Sequence, residues 1–151
     1  MAASRQTLIA ELGAAMQAYQ RSTQAFDDQV GRALRLNPTD LRCLDWLVDQ
    51  DRSASELAEA TGLSSAATTA MIDRLEARGF VRRTRGDGDR RKVIVQMTVE
   101  GRDRTNDYYG PLVVEGMGIV ARLTTAEIRT MLRHLEEIRA LTDRHRDRLR
   151  T

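Results

Sequence analysis

The sequence predicts a mainly α chain carrying one small β-hairpin, and three observations predict it. Apolar residues recur at helical spacing near both ends of the chain. Two short capped segments in the middle are joined by the turn Thr61-Gly62. Directly behind them, two strand-like runs flank the turn cluster Gly86-Asp87-Gly88-Asp89.

Residues 7–35 read as a long helix, with Leu8, Leu12, Met16, Tyr19, Phe26, Val30 and Leu34 on one stripe. That stripe has no compact local partner, so it is expected to meet other helices or another subunit. A second helix starts at Asn37-Pro38-Thr39-Asp40. Asn37 can cap it, Pro38 suits the first helical position and Asp40 complements the positive helix end. It continues through Leu41, Leu44, Trp46, Leu47 and Val48, and stops in the polar run Asp49-Gln50-Asp51-Arg52.

Ser53-Ala54-Ser55-Glu56 has capping-box spacing and opens a short helix, Ser55–Ala60. Ser64 then caps a helix that reaches about Arg78, with Met71, Ile72 and Leu75 apolar, and Gly79 closes it. Two short helices about a glycine turn outline a helix-turn-helix. Taken alone, such a corner is common in all-α proteins. The next segment makes it specific: Phe80–Arg85 and Lys92–Met97 read as the two strands of a basic-tipped hairpin, a wing. Thr98 caps a further long helix reaching about Leu123, which Pro111 is expected to kink or break. Thr124-Thr125-Ala126-Glu127 is a capping box for the last helix. Its stripe is Ile128, Met131, Leu132, Leu135, Ile138 and Leu141, and the charged stretch Arg144–Arg150 is expected to fray. The fold class is thus a winged helix-turn-helix plus a helical dimerisation region. The expected organisation is an N-terminal dimerisation helix (1–36), a DNA-binding module (37–98) and C-terminal dimerisation helices (99–151).

Composition narrows the function. Hydrophobic residues at 41% and charged residues at 30% describe a globular chain rather than a disordered one. No apolar run approaches the roughly 20 residues of a membrane span. Met1–Gln6 lacks the apolar core of a signal peptide, so a cytoplasmic location is expected. The one cysteine, Cys43, can form neither an internal disulfide nor a thiolate cage. Net charge is only +2, but residues 82–92 hold six cations against two anions, a local +4 that leaves −2 for everything else. Such clustering is the footprint of a phosphate contact, against the plainer reading of a solvated loop.

Catalytic chemistry finds no footing. No nucleophile–base–acid set or phosphate-cradling loop stands out, and Glu56, Glu59 and Glu76 are better explained by caps and helix surfaces. His134 and His145 lie eleven residues apart, about 16 Å along a helix, too far for one metal ion. The expectation is a non-enzyme without metal or cofactor.

From Ser55-Glu56-Leu57-Ala58-Glu59-Ala60-Thr61-Gly62-Leu63, through Asp73-Arg74-Leu75-Glu76-Ala77-Arg78-Gly79-Phe80-Val81, to Asp89-Arg90-Arg91 and Thr98-Val99-Glu100-Gly101, the chain resembles the MarR (multiple antibiotic resistance regulator) family. The order of elements is similar over nearly the whole length, and the Asp-Arg-Arg wing motif is the most specific part. The resemblance implies a two-fold dimer built from the terminal helices, with two winged modules on palindromic double-stranded DNA. The helix Ser64–Arg78 is then expected in the major groove. Ser64 caps it, Ser65, Thr68 and Thr69 offer hydroxyls, and Ala66, Ala67 and Ala70 allow close approach or contact with thymine methyls. Family members that carry larger polar residues there differ, which suggests modest direct readout and more dependence on the wing. Arg74, one turn beyond Ala70, is expected on a phosphate. Arg83 and Arg90 join the interface, Arg91 is implied as the wing-tip arginine of the minor groove, and Asp89 as the group that orients it. Asp73 ties the helix to a wing arginine, or forms a simple surface ion pair.

The resemblance also implies release from DNA by a small, often aromatic effector. Candidate lining residues are Tyr19, Phe26, Trp46, Tyr108 and Tyr109, each also readable as ordinary core or interface packing. Alternatives are a DNA-binding regulator without an effector, and one that responds to oxidation through Cys43. The apolar neighbours of Cys43 speak for an inert thiol.

Overall fold

The computed structural model describes residues 3–85 and 93–149. The local signals of the sequence become elements at nearly every expected place. Helix α1 (Arg5–Leu34) starts at Ser4, whose Oγ accepts from the Thr7 N–H at 3.1 Å. It ends where Arg35 takes a left-handed φ of 55°, so that the N–H groups of Arg35 and Leu36 close onto the carbonyls of Arg32 and Gly31. Helix α2 (Pro38–Val48) is capped by the Asn37 side chain, which accepts from the Asp40 N–H at 2.8 Å. Helix α3 (Ala54–Thr61) has the full capping box of Ser53 and Glu56. Gly62, at φ 73°, supplies the left-handed residue that turns the chain toward helix α4 (Ser65–Ala77), capped by Ser64.

Strands β2 (Val81–Arg85) and β3 (Val93–Met97) pair antiparallel, with Val81 opposite Met97 and Arg85 opposite Val93. A third strand, β1 (Arg52–Ser53), pairs with β3 and makes β3 central in the order β1-β3-β2. By its neighbours in the chain, Arg52 belongs to a polar helix stop. Two residues carry too little periodicity to announce a strand, and their pairing depends on a segment some forty residues away.

Helix α5 (Val99–Val120) begins where Thr98 Oγ1 accepts from the Gly101 N–H at 2.8 Å. It runs through Pro111 without a break, so of the expected kink or break the break does not occur. One missing donor costs the helix a single bond, and the turns on either side keep theirs. Helix α6 (Thr125–Arg148) opens with the Thr124–Glu127 capping box. It continues through the arginine-rich end that was expected to fray. Arg146 pairs there with Asp143 and Asp147, and His145, Arg146 and Arg148 complement the negative helix end.

The chain forms two compact units, one up to Tyr108 and one from Tyr109 onward. The core of the first collects Leu44, Leu47, Leu57, Met71, Ile72, Leu75, Phe80, Val81 and Val95, which brings α2, α3, α4 and the sheet around one apolar centre. The second holds the C-terminal half of α5 and all of α6. No residue of α6 is buried, and Met131, Leu132, Leu135, Ile138 and Leu141 stay exposed. On α1 the apolar stripe divides: Val30 and Leu34 enter the core, whereas Leu8, Leu12, Met16 and Tyr19 do not. No helix is long and apolar enough to cross a membrane among the described residues.

The start of α5 lies directly on Phe80. A Cβ at Gly101 would come within 2.3 Å of the Phe80 carbonyl oxygen and 2.8 Å of its Cα. Both are backbone atoms, which cannot rotate away. Gly101→Ala is therefore expected to lower stability by about 1–3 kcal/mol, as overpacking does, measured by chemical denaturation of the purified variant.

Candidate nucleic-acid interface

Helix α4 presents its N-terminal half outward: Ser64, Ser65, Ala66, Ala67, Thr69 and Ala70 are exposed. Its other face is buried through Thr68, Met71, Ile72 and Leu75. The burial of Thr68 corrects its expected role. At 1% exposure, with its hydroxyl donating to the Ser64 carbonyl at 2.9 Å, it anchors the first turn and cannot reach a base. Thr69 is exposed, but its hydroxyl also donates back along the helix, to the Ser65 carbonyl at 3.0 Å.

Arg74, expected on a phosphate, holds Asp40 of α2 while its side chain stays 45% exposed. Its Nε and Nη2 donate to the two carboxylate oxygens at 3.1 and 2.5 Å. The Asp40 side chain is 2% exposed, so this fork satisfies a buried charge. The hydrogen bond to Asp40 raises the Arg74 guanidinium above its ordinary value, against a partial loss of water that lowers it. In the sequence, Asp40 stands out only as a complement to the helix end. Its partner lies 34 residues on, and no periodicity connects the two.

The wing strand is tied to α4 by a second set of ion pairs. Arg83 of β2 donates to Glu76 and to Asp73, and its backbone N–H donates to Glu76 Oε1 at 2.9 Å. Partial burial alone would lower the Arg83 guanidinium, but these hydrogen bonds and charges raise it overall. Asp73 thus tethers the helix to the hairpin. Glu76, expected on the helix surface, does the same from the next turn. Arg83 was expected to bind DNA, but its side chain is committed to this joint.

Arg78, which caps the end of α4, reaches α1 by donating to the carbonyls of Leu34 (2.6 Å) and Arg35. Its guanidinium also lies 5.5 Å from the centre of the Phe80 ring, and that of Arg104 lies 3.9 Å from it. Neither contact had a signal in the sequence. The wing-tip residues Asp89, Arg90 and Arg91 lie outside the described residues.

The aromatic candidates sit in unlike surroundings. Tyr19 is 75% exposed on α1 and Phe26 is half-buried. Trp46 is stacked by Arg52, whose Nε donates to the Trp46 carbonyl at 2.8 Å. Tyr108 is exposed and closes the first unit, while Tyr109 opens the second. Cys43 is fully buried, and its thiol is pushed up to about 12 by burial and, to a lesser degree, by the charge of Asp40. Among the described residues no cluster of His, Cys, Asp and Glu could hold a metal ion.

Residues 36–93 match the sequence profile of the MarR family. The chain is 30% identical to the HTH-type transcriptional regulator YcgE of Bacillus subtilis, over 85% of this chain and 84% of that one. It is 38% identical to the HTH-type transcriptional repressor NicR of Pseudomonas putida, over 56% of this chain and 53% of the other. Among solved structures, it is similar to the transcriptional regulator BldR of Sulfolobus solfataricus, with a TM-score of 0.55 and 30% identity, covering 87% of this chain and 94% of that one.

These contacts have two measurable consequences. Arg74→Ala strands the buried Asp40 charge and is expected to cost about 3 kcal/mol in denaturant unfolding, while the salt dependence of DNA binding keeps its slope. The native Cys43 thiol is expected to resist a disulfide-exchange reagent at pH 8, with full reaction only after denaturation. Because the unfolded thiol loses its proton near 9.0 and the folded one near 12, stability falls as pH rises between those values. A Cys43→Ala variant lacks that part of the alkaline loss.

Proposed function

The chain belongs to the MarR family, and from that premise we propose that this DNA-binding transcription regulator works as a homodimeric repressor on a palindromic operator, released by a small aromatic ligand. The observation that carries the DNA-bound part is the joint between α4 and the wing. Arg83 clamps the hairpin to Asp73 and Glu76, so helix and wing meet a duplex as one body while the Ser64–Ala70 face stays open. The other cations of residues 82–92, beyond the paired Arg83, supply the attraction for phosphate. Asp89, Arg90 and Arg91 carry the wing-tip contacts in this reading, with Arg91 in the minor groove.

Pairing of two chains is supported by the apolar side chains left uncovered on α1 and α6, which a second copy would bury. Two modules related by a two-fold axis then require a symmetric site. Repression draws support from the similarity to the repressor NicR, and release by a ligand from the family resemblance. The buried, high-pKa thiol of Cys43 counts against a redox trigger.

The test is genome-wide footprinting with the purified full chain, beside its sedimentation mass. Two-fold symmetric protected sites and a dimeric mass are expected. An Arg91→Ala variant should bind more weakly, with the slope of log affinity against log salt reduced by about one. A monomeric mass, or protection without any preferred sequence, would sink the reading.

A further inference from the structure

We propose that α4 reads its operator by apolar contact with thymine C5-methyl groups, with little hydrogen-bonded base readout from the helix. The inference rests on the DNA-binding function proposed for this chain and deepens it.

Every long polar side chain of α4 and of its C-cap already has a partner elsewhere in the fold, although Asp73, Arg74 and Glu76 stay partly exposed. Asp73 and Glu76 are bound by Arg83, Arg74 is engaged by Asp40, and Arg78 reaches the carbonyls ending α1. The Thr68 and Thr69 hydroxyls are turned back onto helix carbonyls. Ser64 Oγ accepts from the Ala67 N–H at 3.3 Å as the cap. What the exposed half of the helix offers is therefore the hydroxyls of Ser64, Ser65 and Thr69, the first and last already partly engaged, with three alanine methyls at 66, 67 and 70 and the methyl of Thr69. A hydroxyl bonds donors and acceptors alike and discriminates poorly between bases. The fork-like contacts that distinguish guanine or adenine need Arg, Lys, Asn or Gln, and the exposed half of α4 has none.

A methyl surface has one counterpart on the floor of the major groove, the C5-methyl of thymine. Small side chains also let the helix backbone settle close to the bases, so methyl can meet methyl without a gap that water would fill. Closing such a contact removes about one methyl group of apolar surface from water on the DNA side, which corresponds to about a fourfold change in affinity. Two symmetric half-sites double the effect in free energy, to about fifteenfold.

The experiment uses the intact protein. Duplexes are selected by the purified chain from a fully randomised library. The enriched sequence is then resynthesised with deoxyuridine replacing thymine, one symmetric pair of positions at a time. Deoxyuridine keeps every hydrogen-bonding group and removes only the methyl. At one or more pairs per site, a loss of about fifteenfold is expected. An Ala66→Gly, Ala70→Gly variant, checked for helicity and cooperative melting, should discriminate less between thymine and deoxyuridine at those pairs. Equal affinity for thymine and deoxyuridine duplexes overturns the proposal, as does full discrimination retained in the folded glycine variant. If no sequence is enriched, the DNA-binding reading itself fails, an outcome distinct from both.

Discussion

Phe80 sits sealed in the core, with the Arg104 guanidinium 3.9 Å from its ring centre and that of Arg78 5.5 Å away. Its carbonyl accepts from the Thr98 N–H at 3.0 Å, and its own N–H donates to the Leu75 carbonyl. The absent side chain of Gly101 leaves the room in which α5 approaches it. One residue thus sets the end of α4, the start of β2 and the start of α5. Because Arg78 also reaches the last carbonyls of α1, the terminal turn of the N-terminal helix is registered against the same point. Displacing any of these elements would open the core or strand a buried polar group, and each costs more than a surface adjustment could recover.

This arrangement divides the labour among the cations. Arg74, Arg78, Arg83 and Arg104 serve the architecture, each satisfied by a carboxylate, a carbonyl or an aromatic face. A charged residue near a DNA-reading helix is therefore not by itself a DNA contact. Burying Asp40 has a desolvation cost that the forked Arg74 contact offsets, and α2 and α4 are thereby fixed in one relative position. In the proposed reading, long-range attraction to phosphate then falls to the remaining cations of residues 82–92, and recognition by the helix to shape and small apolar groups.

Much of the fold was legible because its signals are local. The caps at Asn37, Ser53, Ser64 and Thr124 and the turn at Gly62 are satisfied by atoms within four residues, so residue type and spacing suffice to place them. The tether from Asp73 to the wing was one of two readings the sequence left open, and the pairing with Arg83, ten residues away on the adjoining strand, selects it. The same logic did not place Thr68, which was chosen for its hydroxyl alone, and residue type does not say where the apolar face of a short helix ends. At Pro111 the expected break does not occur, because the surrounding helix absorbs the loss of one donor.

The hairpin behind a capped helix pair, the basic cluster within it and the amphipathic ends were therefore determined by the sequence alone, since each depends on neighbours along the chain. Tertiary structure alone decided that Asp40 faces Arg74, that Arg52 and Ser53 form a strand beside β3, that Arg78 closes on α1, and that Thr68 turns inward. A carboxylate or a guanidinium can be satisfied by many partners, and a two-residue strand by any open edge. Only the packing of distant segments selects one, and that selection is what left the exposed face of the first turns of α4 to alanine, serine and threonine.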